Sequence, residues 1–156
     1  LTLHHIYGLP YIPASTIKGV VRSHILSEYF DHKENEALKD KIFVEFFGNQ
    51  KQAGKIIFLD AFPSSPPEIT PDVMNPHYGD YYSEKKPPAD YLTPNPIFFL
   101  TVKKTTFDFY LLAKKNSSLL KKSLGDKKIN DWLKSALHHH GIGAKTAVGY
   151  GYFEEE

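Results

Sequence analysis

The stretch 141-GIGAKTAVGYG-151 sets Gly141, Gly143, Gly149 and Gly151 around Lys145 and Thr146. Glycine has no Cβ, so its backbone can come close to a ligand. Backbone N–H groups beside one cation suit a phosphate oxygen. The spacing is not that of a nucleotide-binding P-loop, whose second glycine is followed at once by Lys and Ser or Thr. Here Ala144 separates Gly143 from Lys145. P-loops and dinucleotide fingerprints also need a strand before and a helix after, and the order here reads reversed. The plainer alternative is a helix C-cap followed by two strand glycines, which needs fewer glycines than are present.

A second group is 15-STIKGVVR-22. Ser15 reads as the N-cap of a helix, with Thr16 beside it. A helix start offers free N–H groups to an anion. Lys18 and Arg22 are four apart and share one face. Gly19 inside the helix costs ~1 kcal/mol against alanine, which suggests that another chain or backbone comes close there. The alternative is an ordinary amphipathic helix with two solvated cations.

A third group, 72-DVMNPHYGDYY-82, offers His77 and Tyr78 among further tyrosines. Such rings could stack on bases or pack back onto the domain. His138, His139 and His140 are consecutive at a helix end and point three ways, so they suit the helix dipole better than one metal ion. His4, His5 and His77 could each move a proton, but no partner is identifiable from sequence. Neither a cofactor nor a metal site is expected.

These groups sit in a chain of 156 residues, one domain in size, with ordinary hydrophobic (41%) and charged (24%) fractions. The lack of cysteine excludes disulfides and thiolate metal sites and fits a cytoplasmic protein. No apolar run approaches the ~18 residues of a membrane span. Net charge is +1, but residues 101–151 hold ten Lys and three Asp, hence +7. One basic face could meet a phosphate backbone, or the lysines could simply be solvated.

The elements that must position these residues follow from periodicity. A helix is predicted within 13–30, with Ile17, Val20, Val21, Ile25 and Tyr29 facing a core. A second spans 33–47, with Leu38, Ile42, Phe43, Phe46 and Phe47 apolar and Gly48 as its stop. Residues 55–62 read as a buried strand. Residues 63–96 hold nine of the eleven prolines and read as a long irregular insertion. Strands at 97–104 and 106–114 would form a hairpin, and 116–125 is at best partly helical. A helix over 126–140 begins at Asp126 and buries Ile129, Trp132, Leu133, Ala136 and Leu137. Residues 147–153 alternate like a last strand. The order is α+β with an antiparallel sheet.

Four ordered motifs carry a resemblance. The Gly-x-Gly, five residues, Gly-x-Gly frame of 141–151 resembles the C-terminal glycine-rich loop of the RAMP superfamily of CRISPR systems. The stretch 12-IPASTIKGVVR-22 resembles that superfamily's Pro-x-Ser-Ser/Thr-hydrophobic-Lys-Gly helix start. The stretch 48-GNQKQAGKIIFLDA-61 resembles its Gly-x-hydrophobic-x-hydrophobic-x-Asp-Ala segment. Residues 72–82 with 93–104 resemble the sixth-subunit family of the Cmr complex, the type III-B CRISPR effector.

The resemblance implies one RAMP domain over 1–156 with an insertion at 63–96. Its fold would be ferredoxin-like (RRM-like), an antiparallel sheet with helices on one face. The chain opens with Leu1, not Met, so the family's first strand is expected upstream. The implied partners are CRISPR guide RNA and target RNA, other RAMP subunits and the small helical subunits of the Cmr complex. The implied role is a non-catalytic subunit that holds the guide backbone near its 3′ end for antiviral defence. Ser15, Thr16, Lys18, Gly19, Arg22, Gly141, Gly143, Lys145, Thr146, Gly149 and Gly151 would contact RNA, with His77 and Tyr78 from the insertion. Some RAMP relatives instead cut precursor guide RNA without metal, and the histidines leave that alternative open.

Overall fold

The computed structural model describes residues 1–74 and 96–155. In chain order its main elements are α1 (Ala14–Glu28), α2 (Glu34–Ala37), α3 (Lys41–Phe47), β1 (Ile57–Phe58), β2 (Phe62–Pro63), β3 (Glu68–Met74), β4 (Ile97–Lys103), β5 (Phe107–Asp108), β6 (Leu111–Leu112), β7 (Ser123–Leu124), β8 (Lys127–Lys128) and α4 (Ile129–Ser135). The result is a mixture of helices and small antiparallel pairs. The chain forms two compact units, one of Leu1–Pro10 with Pro63–Phe107, the other of Tyr11–Phe62 with Asp108–Glu156.

In the larger unit, α1 buries Ile17, Val21 and Ile25, as its spacing predicts. Val20 is only half-buried and Tyr29 is exposed, while the unexpected His24 is buried. Position 24 lies three and seven residues from 21 and 17, on the same stripe. α4 buries Ile129, Trp132 and Leu133, and the π-helical turn Ala136–His140 that follows buries Ala136 and Leu137. Trp132 keeps its indole N–H satisfied by donating to the Leu124 carbonyl at 3.1 Å. The rings of Phe30, Phe43, Phe47 and Phe58 run in contact from 5.0 to 6.1 Å between centroids. Each buried phenylalanine contributes roughly 1.5–3 kcal/mol of transfer free energy.

Several boundaries differ from expectation for local reasons. The single helix over 33–47 is two, because the Asp40 carboxylate accepts from the Ile42 and Phe43 N–H groups at 2.8 Å and starts α3 afresh. Leu38 and Ile42 flank that break and are half-buried, whereas Gly48 ends α3 as expected at φ 85°. Asp126 is not a cap: Gly125, at φ 65°, turns the chain between β7 and β8, so α4 can begin only at Ile129. There the Asp131 carboxylate accepts from the Lys128 N–H. The run 55–62 is not buried on both faces. Ile56 and Phe58 point inward while Ile57 and Leu59 are exposed, and β1 pairs antiparallel with β6.

The smaller unit overturns the predicted hairpin of 97–104 with 106–114. β4 pairs with β3 instead, from Glu68↔Lys103 to Met74↔Ile97. The proline count hid β3, although Pro71 is tolerated because a two-stranded ribbon leaves each strand one unpaired edge. The expected last strand, 147–153, is also absent. Left-handed backbone at Gly149 (φ 94°) and Gly151 (φ 76°) interrupts an extended path.

Candidate nucleic-acid interface

The glycine loop leaves the π-helical turn at Gly141, whose N–H donates to the Ala136 carbonyl at 3.0 Å. Its two ends are clamped by the Ile142 N–H donating to the Gly151 carbonyl at 2.8 Å. A Cβ on Gly151 would collide with the Ile142 carbonyl, and one on Gly141 would sit 3.1 Å from Thr146 Cγ2. Those two glycines are therefore required by the loop's own closure. Gly143 and Gly149 differ: an added Cβ at either meets none of the described residues within 4 Å, and both are exposed. Between them Lys145 adopts left-handed backbone at φ 65°, and Thr146 opens a short 3-10 turn, Thr146–Val148. A strained non-glycine residue at the centre of a loop is a common mark of a functional position. Among the described residues, no group of three or more His, Asp or Glu is placed to hold a metal ion.

The start of α1 is arranged otherwise. Ser15 is not the N-cap; Pro13 is, and it provides no side-chain cap. The Ala14 N–H instead donates to the Asp60 carboxylate at 2.7 Å. This contact crosses 46 residues of sequence, so no local pattern announces it. A carboxylate at that end also meets the positive pole of the helix. Ser15, Lys18, Gly19 and Arg22 fall at the i, i+3, i+4, i+7 spacing of one helix face. Ser15 and Gly19 are exposed, Thr16, Lys18 and Arg22 half-buried. The Arg22 guanidinium pairs with Glu34 and lies 5.5 Å from the Phe43 ring centre. The close approach expected at Gly19 does not come from the described chain, since a Cβ there meets nothing within 4 Å.

α1 packs on the π-helical turn that leads into the glycine loop. His24 sits at that contact, its Nε2 2.9 Å from Ser135 Oγ and its ring edge-on to Trp132. Burial lowers its pKa from 6.5; Glu28 opposes that shift, while His140, Lys127 and His139 add to it. The three consecutive histidines do not gather at one point, although the His138 and His139 rings meet edge to face at 4.6 Å. His138 Nδ1 is 3.3 Å from the Phe153 carbonyl, whereas the His140 ring lies 6.1 Å from that of His24.

The basic C-terminal stretch is partly occupied internally. Lys122 and Lys55 hold the Glu45 carboxylate at 2.6 and 2.9 Å, and their hydrogen bonds lower its pKa to about 2. Lys134 pairs with Glu155 at 2.9 Å and Lys127 lies 4.8 Å over the Trp132 ring. In the smaller unit Lys103 stands 3.9 Å from Asp72. Composition alone counts these lysines as available to a polyanion. His77 and Tyr78 lie outside the described residues.

Residues 1–154 match the RAMP superfamily. The CRISPR system Cmr subunit Cmr6 of Pyrococcus furiosus is 32% identical over 206 residues, covering 96% of this chain and 59% of that protein. Cmr6 of Saccharolobus solfataricus is 38% identical over 150 residues, covering 94% of this chain and 45% of that protein. The chain thus spans about half the length of these curated relatives. Among solved structures, the cryo-EM structure of the type III-B Cmr-beta bound to cognate target RNA matches with a TM-score of 0.73 and 34% identity, over 99% of this chain and 48% of that one. The crystal structure of Cmr6 from Pyrococcus furiosus matches with a TM-score of 0.57 and 31% identity, over 97% and 85%. No helix among the described residues is long and apolar enough to cross a membrane.

Proposed function

Because this chain belongs to the RAMP superfamily, we propose that it is an RNA-binding, non-catalytic structural subunit of a type III-B CRISPR effector in the cytoplasm. The observation that carries this reading is its similarity, along almost its whole length, to a type III-B complex solved with target RNA. The ground plan that goes with it is a single ferredoxin-like domain over 1–156 with an insertion at 63–96. Its neighbours are other RAMP subunits and the small helical subunits of that complex.

In this reading the glycine loop lies against the guide backbone near its 3′ end. The open sides of Gly143 and Gly149 leave room for a sugar or phosphate, and Lys145 supplies the positive charge. The Ser15, Lys18, Gly19 and Arg22 face of α1 provides a second backbone contact, with Thr16 beside it. The hydrogen bond from the Ile142 N–H to the Gly151 carbonyl, with Thr146 packed against Gly141, holds the loop in shape. His77 and Tyr78 would meet the guide–target duplex from the insertion. Sequence is then read by base pairing, while the protein holds shape and backbone.

The test is incubation with guide RNA and with its repeat-containing precursor in EDTA. The expected result is RNA retained intact, with retention weakened by Lys145→Glu. Specific cuts that disappear on His4→Ala or His5→Ala would replace this reading with a metal-independent endoribonuclease.

A further inference from the structure

The first ten residues hold a feature that backbone contacts do not use. The segment 4-HHIYG-8 makes a tight turn, closed by the His4 N–H donating to the Leu9 carbonyl and the Gly8 N–H donating to the His4 carbonyl, both 2.8 Å. Gly8 permits it with φ 64°. Leu3 and Pro10 bridge at its base, and Pro10 is fully buried. Upon this fixed turn three rings form a column. His4 stacks on His5 at 5.1 Å and 18°, and on Tyr7 at 4.8 Å and 23°. Tyr7 is 68% exposed and Ile6 beside it 70%.

A proton-transfer site would aim ring nitrogens at a shared point. Here the rings lie face to face, and His4 Nδ1 accepts weakly from the Ile6 N–H at 3.4 Å. What the group offers is the exposed rings of His5 and Tyr7, with the exposed apolar side chain of Ile6 alongside. The turn is already ordered, so a ligand would bind without first freezing a loop. Sequence-tolerant stacking of bases is how single-stranded nucleic acid engages aromatic side chains.

We propose that the His5–His4–Tyr7 column is a stacking platform for an unpaired nucleobase of single-stranded RNA. The site shares no residue with the glycine loop or α1, and it rests on the RNA-binding reading only for the class of partner. It predicts that affinity depends on a base at one position of the strand, not on phosphates alone.

The test compares two short single-stranded RNAs, one with a fluorescent purine analogue at a chosen position and one abasic there, scanned along the strand. With the wild-type chain, one position should show quenching of the analogue and tighter binding than its abasic counterpart. Tyr7→Ala or His5→Ala should weaken binding of the base-bearing strand by about five- to a hundredfold and leave the abasic strand unchanged. Tyr7→Phe should retain both affinity and quenching. Lys145→Glu should weaken both strands equally, which separates failure of the backbone reading from failure of this one. No position of base preference, or equal binding of both strands by Tyr7→Ala and wild type, would overturn the platform and leave the turn as a protein contact.

Discussion

The start of α1 and the glycine loop carry similar chemistry, cations among glycines and hydroxylated residues, but their surroundings differ. At α1 the chain meets its own groups: Asp60 takes the Ala14 N–H, Glu34 pairs with Arg22, and Phe43 lies beside the same guanidinium. In the loop, five positions from Gly141 to Gly151 have left-handed backbone, and a Cβ at two of the glycines would meet none of the described residues. The face of α1 therefore braces the fold as well as offering charge. The loop divides those duties between residues: Gly141 and Gly151 close it, and Gly143 and Gly149 leave it open. Under the proposed RNA-binding role, substitutions at α1 would mix fold with binding, whereas the loop would allow the two to be separated.

The sharpest break of that division is Gly151→Ala. Its Cβ meets the Ile142 carbonyl and its φ is unfavourable, so stability should fall by about 3 kcal/mol in chemical denaturation. Gly149→Ala, with open space around it, should cost only about 1 kcal/mol yet weaken RNA binding. Equal losses at the two positions would erase the distinction.

Next comes Arg22→Ala, expected to lose about 1 kcal/mol from its ion pair and ring contact. Arg22→Lys should restore the charge but only part of the stability, because the planar guanidinium is what lies beside Phe43. Full recovery with lysine would make Arg22 a plain solvated cation.

His24 joins the two regions, and its effect depends on pH. Its native pKa lies below 6.5, so the unfolded chain takes up the proton first. Stability should be whole above pH 6.5 and decline as pH falls below it through the lowered native pKa. His24→Gln should flatten that decline in melts across the range. An unchanged decline would assign it to other groups.

The smallest expected effect has the opposite sign. Gly19→Ala should stabilise α1 by roughly 0.5–1 kcal/mol, since a Cβ there meets none of the described residues, while lowering RNA affinity. A stabilised variant with undiminished affinity would show that no backbone comes close at Gly19.

Much of the core was legible because helical spacing is local. Ile17, Val21 and Ile25 on α1, and Ile129, Trp132 and Leu133 on α4, are buried as their periodicity predicts. What escaped was set by distant or competing contacts. Asp60 reaches Ala14 across the sequence, β3 lay hidden among prolines, and the Asp40 carboxylate divided one helix into two. The glycine frame at 141–151 was visible as a motif. Which glycines close the loop and which leave it open became visible only from the clamp between Ile142 and Gly151. The lysines were easy to count, but their engagement with Glu45 and Trp132 depends on folding.

The most direct measurement is RNA affinity against salt concentration for the wild-type chain and Lys145→Glu. A backbone contact at Lys145 releases counterions, so the variant should bind more weakly and the slope of log affinity against log salt should flatten by about 0.7. An unchanged affinity and an unchanged slope would contradict the claim that the glycine loop holds an RNA backbone.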